Sequence, residues 1–226
     1  MSTITVVGIG PGDPDLLTLK ARETIQAADV VAAFESVLAP IREWVRGEVR
    51  PMRYADQEKV LDELALLAGQ SKRCVVCVWG DVSFSARELV DRVRSRVDHV
   101  ELIPGISSVQ VACARMGLAM EQSVFVTLHA RDGYQDALQE AGEVLLKGKR
   151  NVILLPRPWD LMPAAIAETL IQQGLEAHIE VHVLERLSLP DERMTRFDLA
   201  SLAASDLDFS DLSIVVFPAS SVERPT

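Results

Sequence analysis

Along the first half of the chain, short runs rich in Val, Ile and Ala alternate with stretches whose apolar positions return every three or four residues. The runs predict strands over 3–9, 30–34, 48–52, 74–79 and 99–103, and the periodic stretches predict helices over 15–28, 37–46, 56–68, 84–95 and 107–116. Strand and helix in strict alternation mean a mainly parallel sheet covered on both faces. After Gly117 the pattern restarts, with strands over 123–128 and 151–155 and helices over 134–146 and 161–173. It then changes character. Strands over 179–184 and 213–217, a short strand near Arg193 and a weak helix over 199–203 come next, so the second sheet is expected to be mixed. The polar connector 117–122 sets the expected boundary, giving an N-terminal α/β domain over 1–118 and a C-terminal α/β domain over 119–226.

Composition narrows the function. With 226 residues, 48% hydrophobic and 25% charged, the chain has the make-up of a globular protein. Its formal net charge of −10 opposes unaided binding to nucleic acid or to an anionic membrane surface, so a small-molecule substrate fits better. Three cysteines are too few for a disulfide framework, which points to a reducing cytoplasm. Cys74 and Cys77 have CxxC spacing, yet they fall inside an apolar strand whose alternation sends them to opposite faces, where core packing explains both. No run reaches the roughly 18 apolar residues of a membrane span, and the start of the chain reads as a strand rather than a leader; a cytoplasmic protein is expected.

Three glycine-containing turns succeed three predicted strands of the first sheet. The first, Gly8-Ile9-Gly10-Pro11-Gly12-Asp13-Pro14-Asp15, superficially suggests a dinucleotide fingerprint, but Gly12 comes one residue too early for GxGxxG. Asp13 and Asp15 also put negative charge where a phosphate would sit, so a phosphate cradle is excluded. The turn is either a tight strand-to-helix connection or a loop pushed over a ligand cleft. In the second, Trp79-Gly80-Asp81-Val82-Ser83, Gly80 permits close backbone approach and Asp81 can accept hydrogen bonds from a ligand; Asp81 or Ser83 can equally cap the next helix. The third, Pro104-Gly105-Ile106-Ser107-Ser108, opens a helix whose N–H groups and hydroxyls suit a carboxylate, or merely cap it.

Taken together, GIGPGDPDLLTLKA at the start, the Gly-Asp turn near residue 80, PGISSVQVACARMGL at 104–118 and LHAR at 128–131 resemble the tetrapyrrole methylases. The stretch Val183-Leu184-Glu185-Arg186-Leu187-Ser188-Leu189-Pro190-Asp191-Glu192-Arg193 is similar to the branch that methylates C5 of the precorrin ring. The resemblance covers nearly the whole chain. It implies two α/β domains with S-adenosylmethionine in the cleft between them, a homodimer, and C-methylation of a corrinoid substrate in cobalamin biosynthesis. A C15-methylating partner or fused domain would complete the joint reaction. Other branches of the family, acting on uroporphyrinogen or diphthine, and a non-catalytic cofactor-binding assembly protein are the alternatives.

Carried over by position, the resemblance places Pro11, Gly80, Asp81, Ser107 and Ser108 at the cofactor, with Leu155, Arg186, Leu187 and Leu212 lining it from the second domain. Arg131, His129, Arg157 and Arg193 are the candidates for receiving the many carboxylates of such a substrate. No residue is nominated as a general base. The chain departs from the family at Trp79, Val82 and Ser83, where a small residue, a proline and a glycine are usual; Trp79 is placed to stack on or crowd the ligand. His178 and His182 are expected four apart on one strand face without metal-ligating company, and Lys147 to Arg150 mark an exposed helix end.

Overall fold

The computed structural model describes residues 1–129, 132–158 and 160–219, and the chain divides into two compact units, 1–108 and 109–226. The division falls at the head of helix α5 (Ser108–Met116), and the polar connector at 117–122 comes after that helix.

In the first unit, β1 (Thr3–Gly8), β2 (Val30–Phe34), β3 (Glu48–Met52), β4 (Cys74–Val78) and β5 (His99–Ile103) form a wholly parallel sheet in the order β3-β2-β4-β1-β5. The helices are α1 (Leu19–Ala27), α2 (Glu35–Leu38), α3 (Gln57–Gly69) and α4 (Arg87–Arg94). Every residue of β4 is buried, as a strand covered on both faces requires. On one face Ile4, Val6 and Val76 meet Leu61 and Leu64 of α3 and Val90 and Val93 of α4. On the other, Val7, Val31 and Val75 meet Ala21 and Ile25 of α1 and Val37 and Leu38 of α2. Cys74 belongs to the first cluster and Cys77 to the second, so the CxxC spacing is an accident of a two-sided strand. Burial pushes the Cys74 thiol up to about 11 and raises those of Cys77 and Cys113 as well.

Two expected helices in this unit differ from their forecast, each for a local reason. The segment 15–28 is split: Asp13 caps a single 3-10 turn, Pro14–Leu16, through Oδ1 to Asp15 N at 2.9 Å, and α1 starts afresh with Thr18 accepting from Ala21 N at 3.2 Å. The segment 37–46 becomes the short α2 and then a 3-10 stretch, Ala39–Trp44, because Pro40 has no N–H for the α-helical ladder.

In the second unit, β6 (Ser123–Thr127), β7 (Asn151–Leu155), β8 (Glu180–Glu185), β9 (Arg193–Asp198) and β10 (Ser213–Phe217) are ordered β6-β7-β10-β8-β9. Only β6 and β7 run parallel; the other three pairings are antiparallel, and the sheet is mixed. Its helices are α6 (Tyr134–Lys147), α7 (Pro163–Gln172) and α8 (Leu199–Ala203). Leu138, Ile166, Leu170 and Leu202 from these helices pack on Val152, Leu154, Val183 and Val215 of the sheet. The five-residue α8 is held by a reciprocal cap: Ser201 N donates to Asp198 Oδ1 at 2.7 Å and Asp198 N donates to Ser201 Oγ at 3.2 Å. The expected strand over 179–184 starts at Glu180, so His178 lies ahead of it and does not share a strand face with His182. Each of the two pairs with a neighbouring carboxylate, Glu176 and Glu180, and no metal-binding cluster occurs among the described residues. No helix among them is long and apolar enough to cross a membrane.

Leu154 is wholly buried in the second core. Leu154→Ala is expected to lower stability by about 2–5 kcal/mol, read as a shift of the urea midpoint with its slope unchanged.

Candidate functional site

The strands β4, β1 and β5 are neighbours in the first sheet, so the turns leaving their carboxyl ends emerge side by side. They lie closer than side chains would allow. A Cβ on Gly8 would fall 2.6 Å from Gly80 O and 2.8 Å from Gly105 N; one on Gly105 would fall 2.3 Å from Gly80 O and 2.6 Å from Gly8 O. Beyond Gly8, Gly10 and Gly80 exchange both backbone hydrogen bonds, at 3.1 and 2.8 Å, as a single antiparallel bridge. Both have positive φ, +84° and +63°, which glycine adopts without steric cost. Pro11 and Gly12 are buried just past that bridge.

Asp81 closes the arrangement. Its Oδ1 accepts from Ser83 N at 2.8 Å and its Oδ2 accepts from Gly105 N at 2.9 Å, tying the turn after β4 to the turn after β5. Neither Asp81 nor Ser83 caps the next helix, since α4 begins later, after Ala86, without a side-chain cap. The bare Cα of Gly80 is turned toward the head of α5: a Cβ there would stand 3.7 Å from Ser107 Cα and 3.8 Å from Ser108 N. Ser107 is buried. The structure therefore brings Pro11, Gly80, Asp81, Ser107 and Ser108 into one cluster. Trp79 packs against the apolar cluster built on Val7, Val31 and Cys77, and Val82 is buried in the cluster on the other face. Two of the three departures from the usual family residues, Trp79 and Val82, thus pack against or within the core.

In the second unit the expected residues also gather, at one end of the sheet. Leu155 closes β7 and its carbonyl accepts from Leu128 N at 3.0 Å. Glu185 at the end of β8 is in register with Ser213 at the start of β10 and with Arg193 at the start of β9. Arg186 N donates to Leu212 O at 3.0 Å, which joins two of the nominated residues directly, and Leu187 beside them is buried. Arg186 and Ser188 adopt φ of +52° and +68°, a conformation that side-chain-bearing residues hold only where the surroundings enforce it.

Two of the arginines expected to receive carboxylates, Arg193 and Arg157, are engaged within the unit, as are Arg186 and Arg115. Arg193 pairs with the buried Glu185 through Nε and Nη2 at 2.7 and 2.6 Å. Arg157 pairs with Asp160 at 3.4 Å and stands 4.1 Å over the Tyr134 ring. Arg186 pairs with Asp191 at 2.6 Å, and Arg115 with Glu192 at 2.8 Å. The guanidiniums beside Asp191 and Glu192 hold both carboxyls below their ordinary values. Arg131 lies outside the described residues. His129 is half-buried, and that burial lowers its pKa against a smaller opposing contribution from the Pro156 backbone. Sequence reading gave no role to Gly8, Gly105, Arg115 or Glu185. The first two have a signal in the glycine runs. The other two are visible only once strand register is known.

The fold is two α/β units, the first with glycine-built turns at the carboxyl ends of three adjacent parallel strands. The family described as Tetrapyrrole (Corrin/Porphyrin) Methylases matches residues 3–203, and the chain belongs to it. It is a methyltransferase of that family, whose methyl donor is S-adenosylmethionine. Over 95% of its length and 97% of the relative's, the chain is 27% identical to a probable cobalt-precorrin-7 C(5)-methyltransferase of Methanocaldococcus jannaschii. It is 34% identical to a siroheme synthase of Pseudomonas aeruginosa over 88% of this chain but 45% of the relative, so it spans about half of that protein. Among solved structures, a uroporphyrin-III C-methyl transferase from Thermus thermophilus complexed with S-adenosylhomocysteine superposes with a TM-score of 0.73, at 25% identity, over 96% of this chain and 92% of that one.

Gly105→Ala forces a methyl group into backbone and is expected to destabilise the first unit by about 1–3 kcal/mol or more. Asp81→Ala leaves Gly105 N–H unpaired and is expected to cost about 1–3 kcal/mol; urea unfolding reads both. The His129 pKa is depressed in the fold, so the unfolded chain binds more protons below the unfolded value. Its contribution to stability is complete above that value and lost as pH falls through the folded pKa. Between pH 7 and 5, wild-type stability should fall more steeply than that of His129→Gln.

Proposed function

We propose that the chain transfers a methyl group from S-adenosylmethionine to C5 of a precorrin, or of its cobalt form, in cobalamin biosynthesis. The observation that carries this reading is the match to the probable cobalt-precorrin-7 C(5)-methyltransferase, which runs almost end to end in both chains. The donor is assigned to Pro11, Gly80, Asp81, Ser107 and Ser108, with contributions from Leu155, Arg186, Leu187 and Leu212.

The first-unit cluster fits such a donor. Its turns are glycine-lined, so backbone groups can approach a ligand closely, and the bare face of Gly80 adjoins the amino end of α5. N–H groups at that end suit the carboxylate of a methionine moiety. Bound there, S-adenosylmethionine would supply an electrophilic methyl on a sulfonium. An electron-rich ring carbon needs little acid–base help to attack it, so these residues act by holding the reacting atoms in line and excluding water. His129, kept neutral near pH 7 by burial, and Arg157 and Arg193 are assigned to the macrocycle; Arg157 exchanges Asp160 for a substrate carboxylate, whereas Arg193 keeps the buried Glu185 and offers its remaining guanidinium N–H groups.

A second reading is methylation of a uroporphyrinogen-type ring. It is favoured by the higher identity to the siroheme synthase, 34%. The two are separated by incubating the chain with S-adenosylmethionine and either precorrin-7 or uroporphyrinogen III and tracking product mass. Gain of one methyl by precorrin-7 alone is expected; methylation of uroporphyrinogen alone supports the second reading. Binding of S-adenosylhomocysteine in calorimetry with no turnover on either ring would point to an assembly role. Light scattering checks the homodimer that belongs to the same reading. Arg157→Ala should raise KM for the macrocycle about tenfold while leaving KM for the donor unchanged.

A further inference from the structure

The carboxylate of Glu185 is 3% exposed, at the end of β8, and each of its oxygens holds a different segment. Oε1 accepts from Ser210 N at 3.0 Å, in the turn that leads into β10, and Oε2 accepts from Arg193 at the head of β9. Ser210 in turn orders residues 212 and 213: its Oγ accepts from Leu212 N at 3.1 Å and its carbonyl accepts from Ser213 Oγ at 2.5 Å. Leu212 O then receives Arg186 N, the residue directly after Glu185. A closed circuit runs from Glu185 through Ser210 and Leu212 back to Arg186. It adjoins the strained stretch 186–188, whose left-handed Arg186 and Ser188 flank the buried Leu187. A second tie, Ser188 N to Glu192 Oε2 at 2.7 Å, secures the far end of that stretch.

We infer that Glu185 is a positioning residue: its buried carboxylate fixes the segments 186–188 and 210–212 through which the second unit takes part in holding the methyl donor. The inference rests on the assignment of Arg186, Leu187 and Leu212 to the donor in the proposed function. Both carboxylate oxygens are satisfied by the segments they tie, so loss of the carboxylate releases both at once. Rigid backbone at such a site depends on support from behind, and left-handed side-chain-bearing residues persist only under it.

Two variants of the full chain test this, Glu185→Leu and Glu185→Gln, with S-adenosylhomocysteine affinity by calorimetry and amide hydrogen exchange by mass spectrometry as readouts. In Glu185→Leu, affinity should weaken at least about tenfold and KM for the donor should rise more than kcat falls. Exchange should quicken at 186–188 and 210–213 while 123–127 and 151–155 stay as protected as in wild type. Glu185→Gln keeps an acceptor for Ser210 N–H and loses the ion pair with Arg193, so about a threefold weakening with quicker exchange in the same segments is expected. Wild-type affinity and wild-type exchange in a folded Glu185→Leu would overturn the inference; if that variant does not fold, the same result in Glu185→Gln does so. Should the wild-type chain not bind S-adenosylhomocysteine at all, the donor assignment falls, and exchange at 186–188 and 210–213 alone decides whether Glu185 positions them.

Discussion

The candidate site depends on backbone touching backbone at three glycines. Gly8, Gly80 and Gly105 stand at the carboxyl ends of adjacent parallel strands; Gly8 and Gly105 have no room for even a methyl group, and Gly80 holds a left-handed φ. Because they carry no side chains, the turn after β1 can bridge to the turn after β4, and Asp81 can reach across to Gly105 N–H. The parallel sheet makes that closeness possible by bringing three strand ends out side by side. Everything nominated in the first unit, from Pro11 to Ser108, is held in place by this contact.

The strands were legible because a sheet buried on both faces demands uninterrupted apolar runs, and the second unit's mixed sheet was legible because no helix separates the strand over 179–184 from the one near Arg193. The helices over 15–28 and 37–46 were misjudged where apolar periodicity continues but the helix does not: Thr18 starts α1 afresh with its own cap, and Pro40 has no N–H for the ladder. Asp81 shows a different limit. A Gly-Asp turn before a helix reads locally as a cap, whereas its second partner is Gly105, far along the chain and brought near only by strand order. Likewise, Arg186 and Arg193 look like free cations in sequence. Their partners Asp191 and Glu185 lie within the same stretch, but that Arg193 meets Glu185 is settled by a β8–β9 register that no local pattern encodes, and Arg186 meets Asp191 across the connection between those strands.

These ion pairs also bear on how an acidic protein could meet a ring carrying many carboxylates. Arginines that are already neutralised do not form a standing basic patch that would attract any polyanion. A ligand carboxylate that met one of them would have to compete with Asp160, Asp191 or Glu192 for it. Membership of the tetrapyrrole methylases gives the class of chemistry, methyl transfer.

The order of strands in the second sheet has a further consequence, for synthesis. All five strands of the first sheet have left the ribosome once residue 103 has emerged, and that unit can condense while translation continues. The second sheet cannot. Its middle strand, β10, is the last of the five to be made, and until Ser213–Phe217 arrives β7 and β8 have no common neighbour. The nascent second unit is thus a pair of unjoined half-sheets with open edges, and the final strand is the keystone that converts them into one body.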